Sequence, residues 1–258
     1  MRTLAIDTSL AHGSVAAASD GRVVEIVLPE AGEHARRIGS ALDEAARGLG
    51  WRVGDVELVG VVRGPGSFTG LRVGLATAKA IAWAADAALV GVSGFEVIAR
   101  RVAHLAGTGS ASLHLAYDAG RGDLFVAEAS PAADAPAGVR LSPPRLVAAA
   151  EWCAGLPRGA HVAGPGLAVA AAALAARADL VIAPAEVCLP TAGDAAALAE
   201  RLHAAGVRDA PTALVPDYLR PTYADEPADR ATGPADRAEP PPGLSISTGL
   251  RRGPVSPP

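Results

Sequence analysis

A chain of 258 residues with 50% apolar side chains has material for one large α/β domain or two modest ones. Its net charge of −4 and its 3% aromatic content argue against a protein that grips nucleic acid alone through a broad basic surface or by stacking bases. Cys153 and Cys188 are its only cysteines, form no CxxC, and read as reduced thiols.

The first residues, MRTLAIDTS, carry no long apolar stretch, so no signal peptide is read there. No uncharged apolar run reaches the ~18–20 residues of a membrane span, so the expectation is a cytoplasmic protein without a membrane partner. Residues 3–7 alternate and end on Asp7. A second strand is expected over 12–19, and the Asp20-Gly21 pair signals a hairpin into 22–28. From 33 to 49, Ala35, Ile38, Leu42, Ala45 and Leu49 recur at helical spacing. Arg36, Arg37, Asp43, Glu44 and Arg47 hold the opposite face, and Gly48 and Gly50 close the helix. A short apolar strand follows over 57–62.

The next stretch, RGPGSFTGLRVGLATAKAIAWAAD at 63–86, organises the rest. Gly64, Pro65 and Gly66 force a turn, and Ser67 or Thr69 is placed to cap the helix behind it. Leu71, Val73, Leu75, Ala76, Ala78, Ala80, Ile81 and Trp83 fall on nearly every side of that helix. Only Arg72, Lys79 and Asp86 mark a narrow polar line. A helix apolar almost all round needs cover on more than one side. Its own sheet supplies one cover; the other is expected from a second molecule. A strand over 88–92 and a helix over 95–105 complete a βββαβαβα order, which indicates a mixed sheet with packed helices.

Gly107, Gly109 and Ser110 form a joint, after which the pattern repeats. LAIDTSLAHGSVAAASDGRV near the start is echoed by LAYDAGRGDLFVAEASPA from Leu115, so Asp118 matches Asp7. RGPGSF at Arg63 is echoed by AGPGLA at Ala163. Two similar α/β halves are read, over 1–108 and 109–222. A helix over 194–205 and an extended piece over 215–219 end the second half. The remainder, 223–258, is proline-rich and reads as a disordered tail.

The turn at Gly64 and Gly66, with Ser67, reads either as a phosphate cradle at a helix N-terminus or as a purely structural turn. It is not a Walker A loop, and Lys79, the only lysine, lies inside the helix. Asp7 and Asp118 read either as a pair holding magnesium near a nucleotide or as ordinary strand-end residues. No HExxH or HxxxH is present, and Ser67 is not in a GxSxG elbow. A well-formed α/β body with little catalytic equipment favours a partner protein. A nucleotide-binding phosphotransferase of related fold is the alternative, and a metallopeptidase a weaker third.

The blocks MRTLAIDTS, EHARRI, RGPGSFTGLRVGLATAKAIA, VGVS, YDAGRGDLFVAE and PDYLRP occur in this order. In this they resemble the TsaB (YeaZ) family, over residues 1 to about 222. The resemblance implies an actin/Hsp70/sugar-kinase fold of two ribonuclease-H-like halves. It implies a non-catalytic scaffold in making tRNA threonylcarbamoyladenosine. In that pathway a TsaD-type catalytic paralogue transfers threonylcarbamoyl from its adenylate to adenosine N6, with a TsaE-type ATPase as further partner and tRNA reached through the complex. No cofactor of its own is implied; ATP or ADP and the metal belong to the partner subunits. The catalytic relative holds its metal through an HxxxH whose places fall here at Gly94 and Ile98. The family also implies docking, and self-association, through the helices over 33–49 and 69–86. Arg36, Leu42, Leu71, Val73, Leu75, Ala76 and Lys79 are the expected interface, with Gly70, Gly74 and Ala78 allowing close helix approach. Val73→Glu and Ala76→Arg are the changes expected to break it.

Overall fold

Alternation of small and branched apolar residues lets each face of β1 (Thr3–Asp7) carry a different core. It pairs antiparallel with β2 (Ser14–Ser19), which pairs with β3 (Arg22–Val27) through the expected Asp20-Gly21 turn, both residues at positive φ. β4 (Leu58–Gly64) and β5 (Ala88–Ser93) then add in parallel, giving the order β3-β2-β1-β4-β5. α1 (His34–Gly48) precedes β4, α2 (Phe68–Ala84) joins β4 to β5, and α3 (Gly94–Ala106) follows. The computed structural model describes residues 1–29, 34–106 and 112–220. Glu33, the joint at Gly107, Gly109 and Ser110, and the expected tail lie outside the described residues.

The second half repeats the plan. Its strands are β6 (Leu113–Gly120), β7 (Asp123–Pro131), β8 (Val139–Leu141), β9 (Arg145–Ala148), β10 (His161–Ala163) and β11 (Val181–Ile182). Their order, β8-β7-β6-β10-β11, matches that of the first sheet, with β9 as an additional strand on β7. Its helices are α4 (Ala149–Gly155), α5 (Ala171–Ala175) and α6 (Ala192–Ala204). Two mixed sheets with helices form an α/β fold of the expected actin-like class.

Three cores stack through the described residues. Leu4, Ile6, Val15, Val59 and Val61 pack under α1 and α2. Ala5, Ala16, Val90 and Val92 share a central core with Leu113, Leu115, Tyr117 and Phe125 of the second sheet, and with α3 and α6. Ala116, Leu124 and Val126 pack under Trp152, Cys153, Leu156 and Leu174.

The expected division at residue 108 separates the sheets but not the packing. α6 lies on the first sheet, against β1, β2 and β4, while α3 reaches β7 and β8. Met1–Arg220 accordingly forms one compact unit. Alanine makes the crossing close: Ala192, Ala195, Ala196 and Ala199 are fully buried, and a Cβ on Gly60 would meet Ala199 Cβ at 2.7 Å. Polar bonds fix the helix there. Thr3 Oγ1 donates to Glu200 at 2.7 Å, and Ala192 N donates to Ser14 Oγ at 2.9 Å. The expected extended piece at 215–219 pairs with no strand; its Asp217 N donates to the Arg63 carbonyl at 2.8 Å.

Candidate functional site

The glycine turn is a joint between two loops. Ser67 N donates to the Ser9 carbonyl at 2.7 Å. Ser67 Oγ accepts from Gly70 N at 3.3 Å, which makes Ser67 and not Thr69 the cap. Thr8 Oγ1 donates to the Gly70 carbonyl at 2.7 Å. Side chains at Gly66, Gly70 or Gly74 would strike the Ser9 carbonyl, the Thr8 carbonyl and Thr8 Oγ1 respectively. Glycine at every fourth position therefore seats α2 on the loop after β1. This corrects the expectation that Gly70, Gly74 and Ala78 admit a foreign helix: Ala78 too lies in the chain's own core. The Ser67 N–H, which a phosphate cradle would use, is taken by Ser9. The structural reading of Gly64, Gly66 and Ser67 is the one the geometry favours.

Asp7 and Asp118 occupy unlike places. Asp7 is buried and accepts from Ser9 N at 2.9 Å. Burial pushes its carboxyl up to about 6, against the pull of the Ser9 hydrogen bonds; the Glu25 charge raises it further and His34 lowers it. Asp118 is exposed and accepts from Gly120 N, in its own turn, at 2.6 Å. Nearby, Tyr117 is fully buried, with its ring edge-on to Phe95 at 5.0 Å, and burial raises its hydroxyl well above the ordinary tyrosine value. Tyr117 Oη and Ser9 Oγ have no hydrogen-bond partner among the described residues.

The places the resemblance gives to metal ligands are filled. A Cβ on Gly94 would collide with Tyr117 Oη, and Ile98 is wholly inside the central core. Neither side chain carries a lone pair for a cation, and at Gly94 the Tyr117 hydroxyl leaves no room for a larger one.

The outer face of α1 and α2 answers the question of the second cover. Leu71 and Leu75 are 1% and 3% exposed, and Leu42 of α1 is 1% exposed. All three belong to the chain's own packing. The expected place of Leu71 and Leu75 at an interface is corrected, while Leu42, though buried, also lines the groove described below: an all-apolar helix does not reveal which side its own sheet takes. Val73 and Lys79 are half-buried, whereas Arg36 and Ala76 are exposed. Ala76, Ala80 and Trp83 form the free stripe, with Trp83 82% exposed. Sequence reasoning missed Ala80 and Trp83, although their offsets of four and seven from Ala76 mark one helical face. Beside the stripe runs a groove of about 590 Å³ between the helices, lined by Gly39, Leu42, Asp43, Val53, Ala76 and Ile81.

At the start of α2 the 215–219 segment closes the face. Phe68 lies 5.2 Å from the Tyr218 ring; the Arg72 guanidinium sits 3.7 Å over Phe68 and donates to Tyr218 Oη at 2.9 Å. Arg63 and Asp217 pair at 3.3 Å. Among the described residues no helix is long and apolar enough to cross a membrane.

Comparison with known proteins agrees with this architecture. Residues 26–139 match the family described as TsaD, tRNA N6-adenosine threonylcarbamoyltransferase. The Escherichia coli K12 protein named tRNA threonylcarbamoyladenosine biosynthesis protein TsaB is 34% identical over 128 residues, 50% of this chain and 54% of that one. Its namesake in Bacillus subtilis 168 is 30% identical over 126 residues, 48% of this chain and 53% of that one. The chain thus spans about half the length of the curated relatives it matches. A solved Pseudomonas aeruginosa structure, described as YeaZ, superposes with a TM-score of 0.69 at 23% identity, covering 84% of this chain and 99% of the other. That likeness speaks for the fold. Over about half its length, then, the chain is similar to proteins named TsaB, and over 84% of it the chain shares the YeaZ fold.

Proposed function

We propose that this chain is a non-catalytic partner subunit in the synthesis of tRNA threonylcarbamoyladenosine. It docks through the outer α1–α2 face onto a TsaD-type catalytic paralogue. The observation that carries the reading is that face: an apolar groove flanked by Ala76, Ala80 and an exposed Trp83. A tryptophan at the edge of such a groove is a strong anchor for a protein partner. The filled positions at Gly94 and Ile98 support the non-catalytic part, since they deny this chain the paralogue's metal ligands. The names of the curated relatives support the pathway. ATP or ADP, metal and tRNA then belong to the assembled complex, a TsaE-type ATPase is a further member, and a second copy of this chain competes for the same face. Work beside tRNA in the cytoplasm is part of this proposal.

The test mixes the chain with the catalytic paralogue and the ATPase, and assays modified tRNA with each component omitted. Loss of product on omitting this chain is expected. Val73 packs partly into the core, so Ala76→Arg with Ala80→Arg is a cleaner break than Val73→Glu. The double arginine variant should keep its melting temperature and lose co-purification with the paralogue. Unchanged co-purification would overturn the docking face. Micromolar ATP binding by the isolated chain in calorimetry would favour the phosphotransferase alternative.

A further inference from the structure

α3 and α6, one from each half of the chain, carry an arginine each to the hairpin between β7 and β8. Arg100 Nη1 donates to the Ala137 carbonyl at 2.8 Å, and Arg201 Nε donates to the Pro136 carbonyl at 2.7 Å. Gly138 follows at φ 78°, a conformation that favours glycine. A Cβ there would lie 3.3 Å from Arg100 Nη1 and 3.4 Å from Arg201 Nη2. The two guanidiniums therefore meet across the one residue that has no side chain.

Their charges are not balanced locally. Neither forms an ion pair with a carboxylate among the described residues. Asp194, whose charge reaches Arg100, is engaged by Arg101 and by Thr191 Oγ1; Glu96 also acts on Arg100 from a distance. Arg140 of the same hairpin is neutralised by Asp134 at 2.7 Å. Burial, and then the Arg201 charge, hold Arg100 below the ordinary arginine value. The fold thus brings two like charges together, gives each one carbonyl, and leaves the outer N–H groups of both forks without an acceptor among the described residues.

We propose that Arg100, Arg201 and the bare Gly138 form a binding site for a phosphate-type oxyanion at the seam between the two halves. Two planar forks converging on one point match tetrahedral oxygens with paired, charge-assisted hydrogen bonds, which a lysine pair does not. The absent side chain at Gly138 leaves the oxygens room to approach. The same chemistry is offered by a free phosphate and by the backbone phosphate of an RNA. The site stands on the guanidinium geometry and does not depend on the role proposed above.

The test uses the full chain, with the arginine side-chain N–H resonances followed by NMR. Inorganic phosphate and an unmodified tRNA are titrated separately, at low and physiological salt. Phosphate should move the Arg100 and Arg201 resonances and leave that of Arg208 in place. Arg201→Gln should weaken phosphate binding about tenfold, the scale of one lost charge-assisted contact. Arg201→Lys, which keeps the charge, should also weaken it, and Gly138→Ala should weaken it by crowding both forks. Arg208→Gln, an exposed arginine beyond α6, should not change it. If tRNA displaces phosphate, and Arg201→Gln lowers its salt slope by roughly one, the natural source is nucleic acid. If tRNA does not displace phosphate, the source is a free phosphate compound. Equal phosphate affinity of the parent chain and Arg201→Gln, or no movement of either resonance, overturns the proposal and leaves the pair as a clamp on the hairpin.

Discussion

The two sheets share one strand order and differ in their outer cover. In the first half, α1 has 15 residues and α2 has 17; in the second, α4 has 7 and α5 has 5. Long helices give the first half a continuous two-helix face with a groove along it. Short helices leave the second sheet partly bare, and a cleft of about 630 Å³ opens there, lined by His114, Glu128, Arg145, Trp152 and Leu156. The same topology thus carries a long two-helix face with an apolar groove in one half and a short, broken helical cover in the other. The difference begins at the repeated turn. In each half a Gly-Pro-Gly segment leaves the strand beside the central one and presses its second glycine onto neighbouring backbone: Gly66 against Ser9, and Gly166 against Tyr117. Ser67 then caps a helix, whereas Leu167 offers no acceptor and the chain runs through a 3-10 turn, Pro165–Ala168, before a short α5.

The largest effect is expected where the two turns are compared directly. Gly164 has φ 116°, and a Cβ there would strike the Ala116 carbonyl, backbone of the central strand β6. Gly164→Ala adds backbone strain to overpacking and should cost about 4 kcal/mol. Gly64 has φ 143°, but its Cβ would meet Asp217 at 3.0 Å, in a segment near the end of the described chain. That segment belongs to no sheet or helix, so the clash falls outside the core and Gly64→Ala should cost about 2 kcal/mol. Urea unfolding of both variants checks the ranking; equal losses would show that the two turns bear the same load.

The two acids sharpen the contrast between buried and exposed copies of one motif. Asp7 loses its proton at an ordinary 3.8 when unfolded and at about 6 when folded. Between those values the folded chain binds the extra proton, so stability falls as pH rises through the window. The full shift corresponds to about 3 kcal/mol. Asp7→Asn should therefore stabilise the chain above pH 6 by up to that amount and have little effect below pH 4. Asp118, its counterpart in the repeat, is exposed and has no comparable burial. Stability curves at several pH values test the Asp7 variant, and a parent profile flat from pH 4 to 6 would remove the account of Asp7.

Much of this contrast was legible in the chain itself. The meander of β1 to β3, the amphipathic α1, the glycine turn with Ser67, and the repeat of Asp7 and the turn are all local patterns. The side of α2 that faces out was not legible, because Leu71, Leu75, Val73 and Ala76 look alike until the sheet chooses among them. Glycine at 66, 70 and 74 marks the inward side, yet that spacing also suits a helix–helix contact. The crossing of α6 left no sign either: a run of alanines packs closely on any surface of small residues, and here Ala5, Ala16 and Gly60 supplied it. The paired arginines lie 101 positions apart and meet only through the hairpin at Gly138.

The smallest effect isolates the cap. Ser67 Oγ satisfies Gly70 N, one of the orphan donors at the start of α2, and Ser67→Ala should cost about 1 kcal/mol in urea unfolding. Ser67→Asp keeps an acceptor and places a negative charge at the positive end of the helix, so it should restore most of the loss. The converse change in the second half should fail. Leu167 packs against both the central and the outer core, so Leu167→Ser surrenders apolar contact while the 3-10 turn offers no helical first turn to cap. A gain in stability from Leu167→Ser would mean that cap chemistry alone, and not the packing of the turn, sets the length of the helix that follows.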